Sequence, residues 1–455
     1  MPTTIDAGLP ALAQAAQAWT LSRCPPEIVA QARLCILDTA GCIVAGGRTE
    51  EAALILRCEG DAAGAAATVL GTPARQPLLS TVRIHGYLGD VLELNDLIGG
   101  HASIGVVSAA LSLAEVRGAP LGTMVEAVLR GIEVTHRIYS AVYPSLKRFT
   151  ESGLVPVGIP SSIGAAAAAS RLLDLDAERT AHAMAIAGAL AGWCPAEVIF
   201  GDGGTLKPML FGAQTGATGV TAALYAQQGM TGPLRLLESR LGYFATAATA
   251  ARLQAELPPE RWGLAAPRRK LHACCGYLHS AVDAAVRLRA QAPLTPHTTL
   301  EVHVPPYTAD AVDKPRPPVS ANDARFHLQY CLALVLCGAD RIDPEHSLDH
   351  AGHLARDDVA AAMDRIHVVP DGDLTHYHQC RLLLKDAQGA VLAAQALDAP
   401  RGSPAEPLAD DDVIDKFRRI AGPSLPPGRA DRFIGQLMAG EDHAPAAGCI
   451  ATLAT

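Results

Sequence analysis

Two stretches of small residues limit what this chain can fold into. GIPSSIGAAAAASRLL (158–173) and MLFGAQTGATGVTAALYAQQG (209–229) carry glycine and alanine where most helices carry bulk. Such helices are favoured by composition, but they bury little of their own and gain stability only where neighbouring backbones approach closely. The chain must therefore supply several helices to surround them. Its residues suit that role: 49% are hydrophobic but only 4% aromatic, so the core is built from Ala, Leu and Val. At 455 residues it exceeds one core, and a large domain with a smaller one is expected.

The remaining pattern divides the chain in three. Residues 1–267 read as helices: about 8–23, Glu27–Ala45, Glu50–Arg57, a helix after Thr72-Pro73, then 104–117, 121–139, 177–193 and a long one begun by Lys207. Ser103 reads as the cap of the 104–117 helix, and Ser161 or Ser162 as the cap of the alanine-rich one. Between Tyr139 and Pro160 the chain is irregular and reads as a long functional loop. Residues 268–400 change character. TTLEVHVP (298–305), RIHVVPD (365–371) and CRLLLKDAQGAVLAAQAL (380–397) alternate as strands do, the last as a hairpin around Asp386–Gly389. Helices at 279–291, 324–337 and 355–363 intervene, which predicts an α+β domain. Residues 401–455 return to amphipathic helix, with 398–412 as the linker, and rejoin the first domain.

Several function classes are disfavoured. A net charge of -9, with no basic run carrying interleaved aromatics, offers nothing to nucleic acid or an anionic membrane. No signal-peptide pattern and no stretch of about 18 uninterrupted apolar residues is read. The eleven cysteines are scattered without a CxxC pair, as reduced buried thiols of a cytoplasmic protein would be. His346, His350 and His353 share a helix face but lie in an acidic, polar run, a weak pattern for a metal.

Chemistry concentrates at three breaks. In HGYLGDVLELNDLIGGHAS (85–103), Asp90, Glu93 and Asp96 end a helix, Gly99-Gly100 form a hinge, and His101 stands before the next helix. The second break is Gly201-Asp202-Gly203-Gly204, followed by Lys207 at a helix start; Pro208 after the lysine rules out a P-loop pattern. The third is RRKLHACCGYLH, where Arg268, Arg269, Lys270, His272 and His279 gather at the expected domain boundary, with Cys275 as a cleft-lining thiol. Lysines to hold carboxylates and histidines to move protons fit deprotonation of a carbon beside a carboxylate, without a metal.

These segments resemble the MmgE/PrpD family, whose members include 2-methylcitrate dehydratase, cis-aconitate decarboxylase and iminodisuccinate epimerase. The resemblance runs through ILDTAGCIVAG, DVLELND…HAS, IGAAAAASRLLDL, GGTLKPMLFGAQTGATGVTAALYAQQGMTGP, KLHACCGYLHSAVDAA, DARFHLQYCLALVL and PRGSPAEPLADDDVIDKF. It implies a mainly α fold with a large helical domain and a smaller α+β lid, a cofactor-free site between them, and a homodimer. The family's HPS histidine falls on His101, its glycine-loop lysine on Lys207, its second lysine on Lys270, and its CCxxxH histidine on His279. Two departures stand out. DFDDT becomes ELNDL, with Glu93 in place of the first aspartate, and a histidine of dehydratase- and decarboxylase-like members becomes Val155.

The expectation is a lyase acting on a small di- or tricarboxylate. His101 would be the acid/base, with Glu93 and Asp96 orienting it or raising its pKa. Lys207, Lys270 and Arg269 would bind carboxylates, with His279 nearby. The alternative is an epimerase of a substituted succinate, in which Tyr143 or Lys147 serves the opposite face. A decarboxylase and a non-catalytic family member are the remaining readings.

Overall fold

The computed structural model describes residues 4–5, 8–60, 66–200, 204–314 and 316–455. The alanine-rich Gly158–Leu172 helix lies at the centre of the first core, against the Leu121–Val142, Gln214–Gln227, Ala102–Arg117 and Ala177–Leu190 helices. The crossings depend on missing side chains. A Cβ on Gly219 would stand 2.5 Å from the Ala165 Cβ, and one on Gly131 would stand 2.8 Å from the Gly164 carbonyl oxygen. Substituting Gly219→Ala should lower stability by about 1–3 kcal/mol, although alanine is the better helix former by about 1 kcal/mol. Urea unfolding reads this; an unchanged or raised midpoint would contradict the packing argument.

Helix ends differ from expectation where local groups compete. Ser103 does not cap: the helix begins at Ala102 behind His101, and the Ser103 hydroxyl donates to Asp96 Oδ2 at 2.9 Å. Neither Ser161 nor Ser162 caps the next helix, which starts at Gly158. Pro160 is accommodated because first-turn N–H groups have no helical acceptor, and Ser162 donates back to the Gly158 carbonyl at 2.8 Å. The Lys207 segment begins as predicted but passes through a π-helical turn, Met209–Ala213, before Gln214–Gln227. The expected 324–337 helix is two, Ala321–Arg325 and Leu328–Leu336, because the His327 ring accepts the Tyr330 N–H and starts a new helix. The first region is also not wholly helical: Thr4–Ile5 pairs in parallel with Arg252–Leu253, and Ala67–Thr68 pairs antiparallel with Arg75–Gln76.

A second apolar core surrounds the predicted strands. Four of them form one sheet in the order Ile366–Pro370, Thr298–Val304, Cys380–Asp386, Val391–Leu397, the first pair parallel and the others antiparallel. Along Thr298–Val304 every second residue is buried, so one face meets the His279–Arg289 and Leu328–Leu336 helices' core. The hairpin turns at Gly389, where φ is 84° and a side chain would be strained. From Asp410 the chain returns to helix, and Phe417, Ile420 and Phe433 join the first core. The segment expected as a linker is held against the boundary, with the Arg269 N–H donating to the Gly402 carbonyl at 2.8 Å.

Among the described residues, one helix, Pro26–Gly46, is long and apolar enough to cross a membrane, and 83% of its apolar window is buried within the protein.

Candidate active site

The Leu78–Val91 helix ends at Leu92, and Glu93 follows with φ at 54°, a left-handed conformation that a glutamate holds only when its surroundings insist. Those surroundings are two buried ammonium groups. Lys207 Nζ contacts Glu93 Oε1 and lies 2.7 Å from Asp90 Oδ2. Lys270 Nζ donates to Glu93 Oε2 at 2.8 Å and to the Glu93 carbonyl at 2.9 Å. Glu93 thus bridges both lysines, and its extra methylene relative to aspartate supplies the reach. Burial opposes its ionisation, yet Lys207 and Lys270 outweigh that and hold the carboxyl well below the usual range. Asp90, fully buried, is pushed up to about 6 by burial despite Lys207. In the same way, Asp90 and Glu93 hold Lys207 above its ordinary range against burial.

His101 stands beside this bridge. Its side chain is 13% exposed, its Nδ1 faces Asp90 Oδ1 at 3.8 Å and the Asn95 amide at 3.4 Å, and its ring packs T-shaped with Phe211, the ring centres 4.9 Å apart. Burial first, then the charges of Lys207 and Lys270, hold the imidazole well below its usual range. Glu93 does push it up, as expected, but the net shift is downward. The two lysines outweigh Glu93, and Asp96 belongs to another network. Asp96 accepts from Ser103 and lies 3.8 Å from Arg269 Nη1, and Arg269 Nη2 donates to Gln31 Oε1 and Cys35 Sγ. Close to that network, Lys416 pairs with Asp38 at 2.6 Å and donates to the Leu94 carbonyl at 2.6 Å, fixing the turn just after Glu93.

The third break delivers Lys270 to the bridge and His279 to its flank. His279 opens the His279–Arg289 helix as predicted, is buried, and contacts the Cys274 carbonyl through Nε2 at 3.3 Å. Its ring lies edge-on to His272, which pairs with Asp283 at 3.0 Å. Cys275 is buried beside it, its thiol pushed up to about 12 by burial, so it is not a thiolate at neutral pH. A crevice of about 10 Å³ lies among Leu97, Arg268, Lys270, His279 and Ser403, room for about one water molecule. The remaining candidates are farther out. Tyr143 is 41% exposed and its hydroxyl contacts His376 Nε2 at 3.2 Å. Lys147 is spent on the Ala245 carbonyl at 2.8 Å. Val155 is buried among Val157, Cys194 and Phe211, so an apolar wall stands behind the ring that faces His101. Of the glycine string, Gly201-Asp202-Gly203 lies outside the described residues.

Sequence reasoning passed over four of these groups. Asp90 was one acid of three, Asn95 only a departure from a motif, Phe211 an apolar helix residue, and Lys416 one charge of an amphipathic face. Asp38 did carry a signal, an acid in an otherwise apolar helical register.

The buried histidines make stability depend on acid. Burial pushes His85 and His378 down to about 3, and His101 and His279 lie well below 6.5. Below pH 6.5 the unfolded chain therefore takes up protons that the folded chain refuses, at about 1.4 kcal/mol of lost stability per histidine per pH unit. Asp90 and Asp96, both raised to about 6 by burial, oppose this between 3.8 and 6, because there the folded chain holds the extra proton. Four histidines outweigh two carboxyls. Calorimetry should find a lower Tm at pH 5.5 than at pH 7.5; an equal or higher Tm at pH 5.5 would contradict the assignment.

The fold joins a helical core to a second core built on a mixed sheet. The sequence matches the MmgE/PrpD N-terminal domain over residues 10–256 and the MmgE/PrpD C-terminal domain over residues 272–438, and the chain belongs to that family. Among curated proteins it is similar to the "Cis-aconitate decarboxylase-like protein oryM" of Aspergillus oryzae (strain ATCC 42149 / RIB 40). The two are 24% identical over 464 residues, which covers 92% of each chain.

Proposed function

We propose that the protein is a cofactor-independent lyase that takes a proton from the carbon beside a carboxylate of a small di- or tricarboxylate, with His101 as the base. The observation that carries this reading is the placement of His101, turned by Nδ1 toward Asp90 beside a closed Lys207–Glu93–Lys270 bridge, where burial and the two lysines favour the neutral imidazole. A neutral imidazole accepts a proton, whereas an imidazolium cannot. Closing the 3.8 Å gap would let Asp90 hold the Nδ1 proton, leaving Nε2 to take the substrate's and stabilising the imidazolium that forms. On this reading Lys207 and Lys270 stabilise the charge that develops on the adjoining carboxylate. The proton on Nε2 then passes to a departing β-hydroxyl, and an alkene forms.

Loss of carbon dioxide instead would share the carbanion step, and the name of the Aspergillus oryzae relative supports that variant. Epimerisation needs a donor on the opposite face. Lys147 is turned to a backbone carbonyl and Val155 is apolar, which leaves Tyr143 as the remaining group. A homodimer in a reducing, cytoplasmic setting belongs to the same proposal; the 69% exposed Trp193 and the buried thiols accord with it. One experiment separates the outcomes: single enantiomers of hydroxy- and methyl-substituted succinates incubated with the enzyme in deuterated water. An ultraviolet-absorbing alkene supports the lyase, and racemisation with one exchanged deuteron supports the epimerase. Neither change, across the panel, would count against both.

A further inference from the structure

The charges inside the site cancel. Lys207 and Lys270 are matched by Asp90 and Glu93, Arg269 faces Asp96, and Lys416 faces Asp38. Arg268 is the exception. Among the described residues no carboxylate lies within 4.0 Å of it, its side chain makes no hydrogen bond, and its guanidinium rests 4.9 Å from the ring centre of Tyr377. It is not a remote surface charge. Where a Cβ on Gly276 would stand, Arg268 Nη2 is 3.9 Å away and the ε-carbon of Lys270 is 3.8 Å away, so both cations border one space. The lack of a side chain at Gly276 lets the two cations and Leu97 come this close, since a Cβ there would stand 3.0 Å from the Leu97 side chain.

A second observation points the same way. His378 is only 8% exposed, and its Nε2 is buried with no hydrogen-bond partner in the protein. A buried polar atom without a partner requires an explanation. The ring packs against Tyr377, with the ring centres 4.5 Å apart, and Tyr377 is the same ring on which Arg268 rests. The loop that carries it is tied to the helical region through Tyr143 and His376.

We propose that Arg268 and His378 form a recognition subsite for a second carboxylate of the substrate, one that selects diacids over monoacids. The proposal rests on the lyase reading for the identity of the ligand. A guanidinium matches a carboxylate with two parallel N–H donors, and an Nε2–H adds a third. Since Lys207 and Lys270 are already compensated, Arg268 supplies the charge that a second carboxylate needs.

Titration calorimetry with succinate and its monoamide, succinamate, tests this on the wild type, R268Q, R268K and H378Q. The wild type should bind succinate at least about tenfold more tightly than succinamate. R268Q should lose about ten- to a hundredfold in succinate affinity and erase the preference. R268K should retain part of it, and H378Q should narrow it. Melting temperatures of the unliganded variants establish that they fold; if R268Q does not, R268K and H378Q carry the test. A wild type that binds neither acid or does not discriminate, or variants with wild-type affinity and preference, would overturn the subsite. Turnover of diacids with R268Q unimpaired would also overturn it while leaving the lyase reading standing. Diacid binding lost in R268Q, with no turnover of any acid by the wild type, would sustain the subsite and overturn the lyase.

Discussion

Replacing Glu93 by alanine should destabilise the fold by about 3–5 kcal/mol, the usual cost of leaving a buried charge without its partner. Two ammonium groups lose a counter-charge at once. Lys207 keeps Asp90, but Lys270 keeps only the carbonyl of residue 93. Glu93→Asp should fall between, because the shorter side chain cannot reach both lysines. The φ of 54° adds a separable component. Glu93→Gly loses the same bridge but relieves the left-handed strain, so it should be more stable than Glu93→Ala by about 1 kcal/mol. Urea unfolding of the three variants reads all of this. An alanine variant within 1 kcal/mol of wild type would mean that the bridge does not hold the turn, an outcome outside the range for a broken buried pair.

Replacing His101 by alanine should lower kcat by roughly 10²–10⁴-fold, the span of a positioned acid/base, once a substrate is in hand. KM should move little, because in the proposed reaction the imidazole takes a proton and the cations, not the imidazole, hold the substrate's carboxylates. Asp90→Asn offers a companion test. If Asp90 positions the ring, kcat should fall while KM holds, and the acid limb of the pH–rate profile should shift. An unchanged kcat in the His101 variant would remove it from the mechanism.

Much of this arrangement was legible in the sequence. The three breaks that carry glycine beside histidine or lysine are the places where His101, Lys207 and Lys270 converge, because a chain must leave its helices to bring charged groups together. The small-residue helices foretold close crossings, and period-two alternation foretold the sheet. Illegible was which acid serves which base. Asp90, Glu93 and Asp96 look equivalent at helical spacing, but the helix stops at Val91 and Glu93 reverses the backbone. Asp90 therefore faces His101, while Asp96 is carried to Ser103 and Arg269. Lys416 and Asp38 meet only because a C-terminal helix packs on the Pro26–Gly46 helix, a tertiary fact that no local pattern encodes. Tyr143 and Lys147 lie in the irregular loop as read, yet one turns to His376 and the other to a carbonyl.

The account stands on a neutral His101 next to charges that neutralise one another. Nitrogen-15 NMR titration of the imidazoles, assigned by comparison with His101→Gln, measures that directly. The expected result is a His101 ring that remains neutral at pH 6.5 and gains its proton only well below it. A ring half protonated at or above pH 6.5 would contradict the account, because the lysine charges would then not be what sets the state of the base.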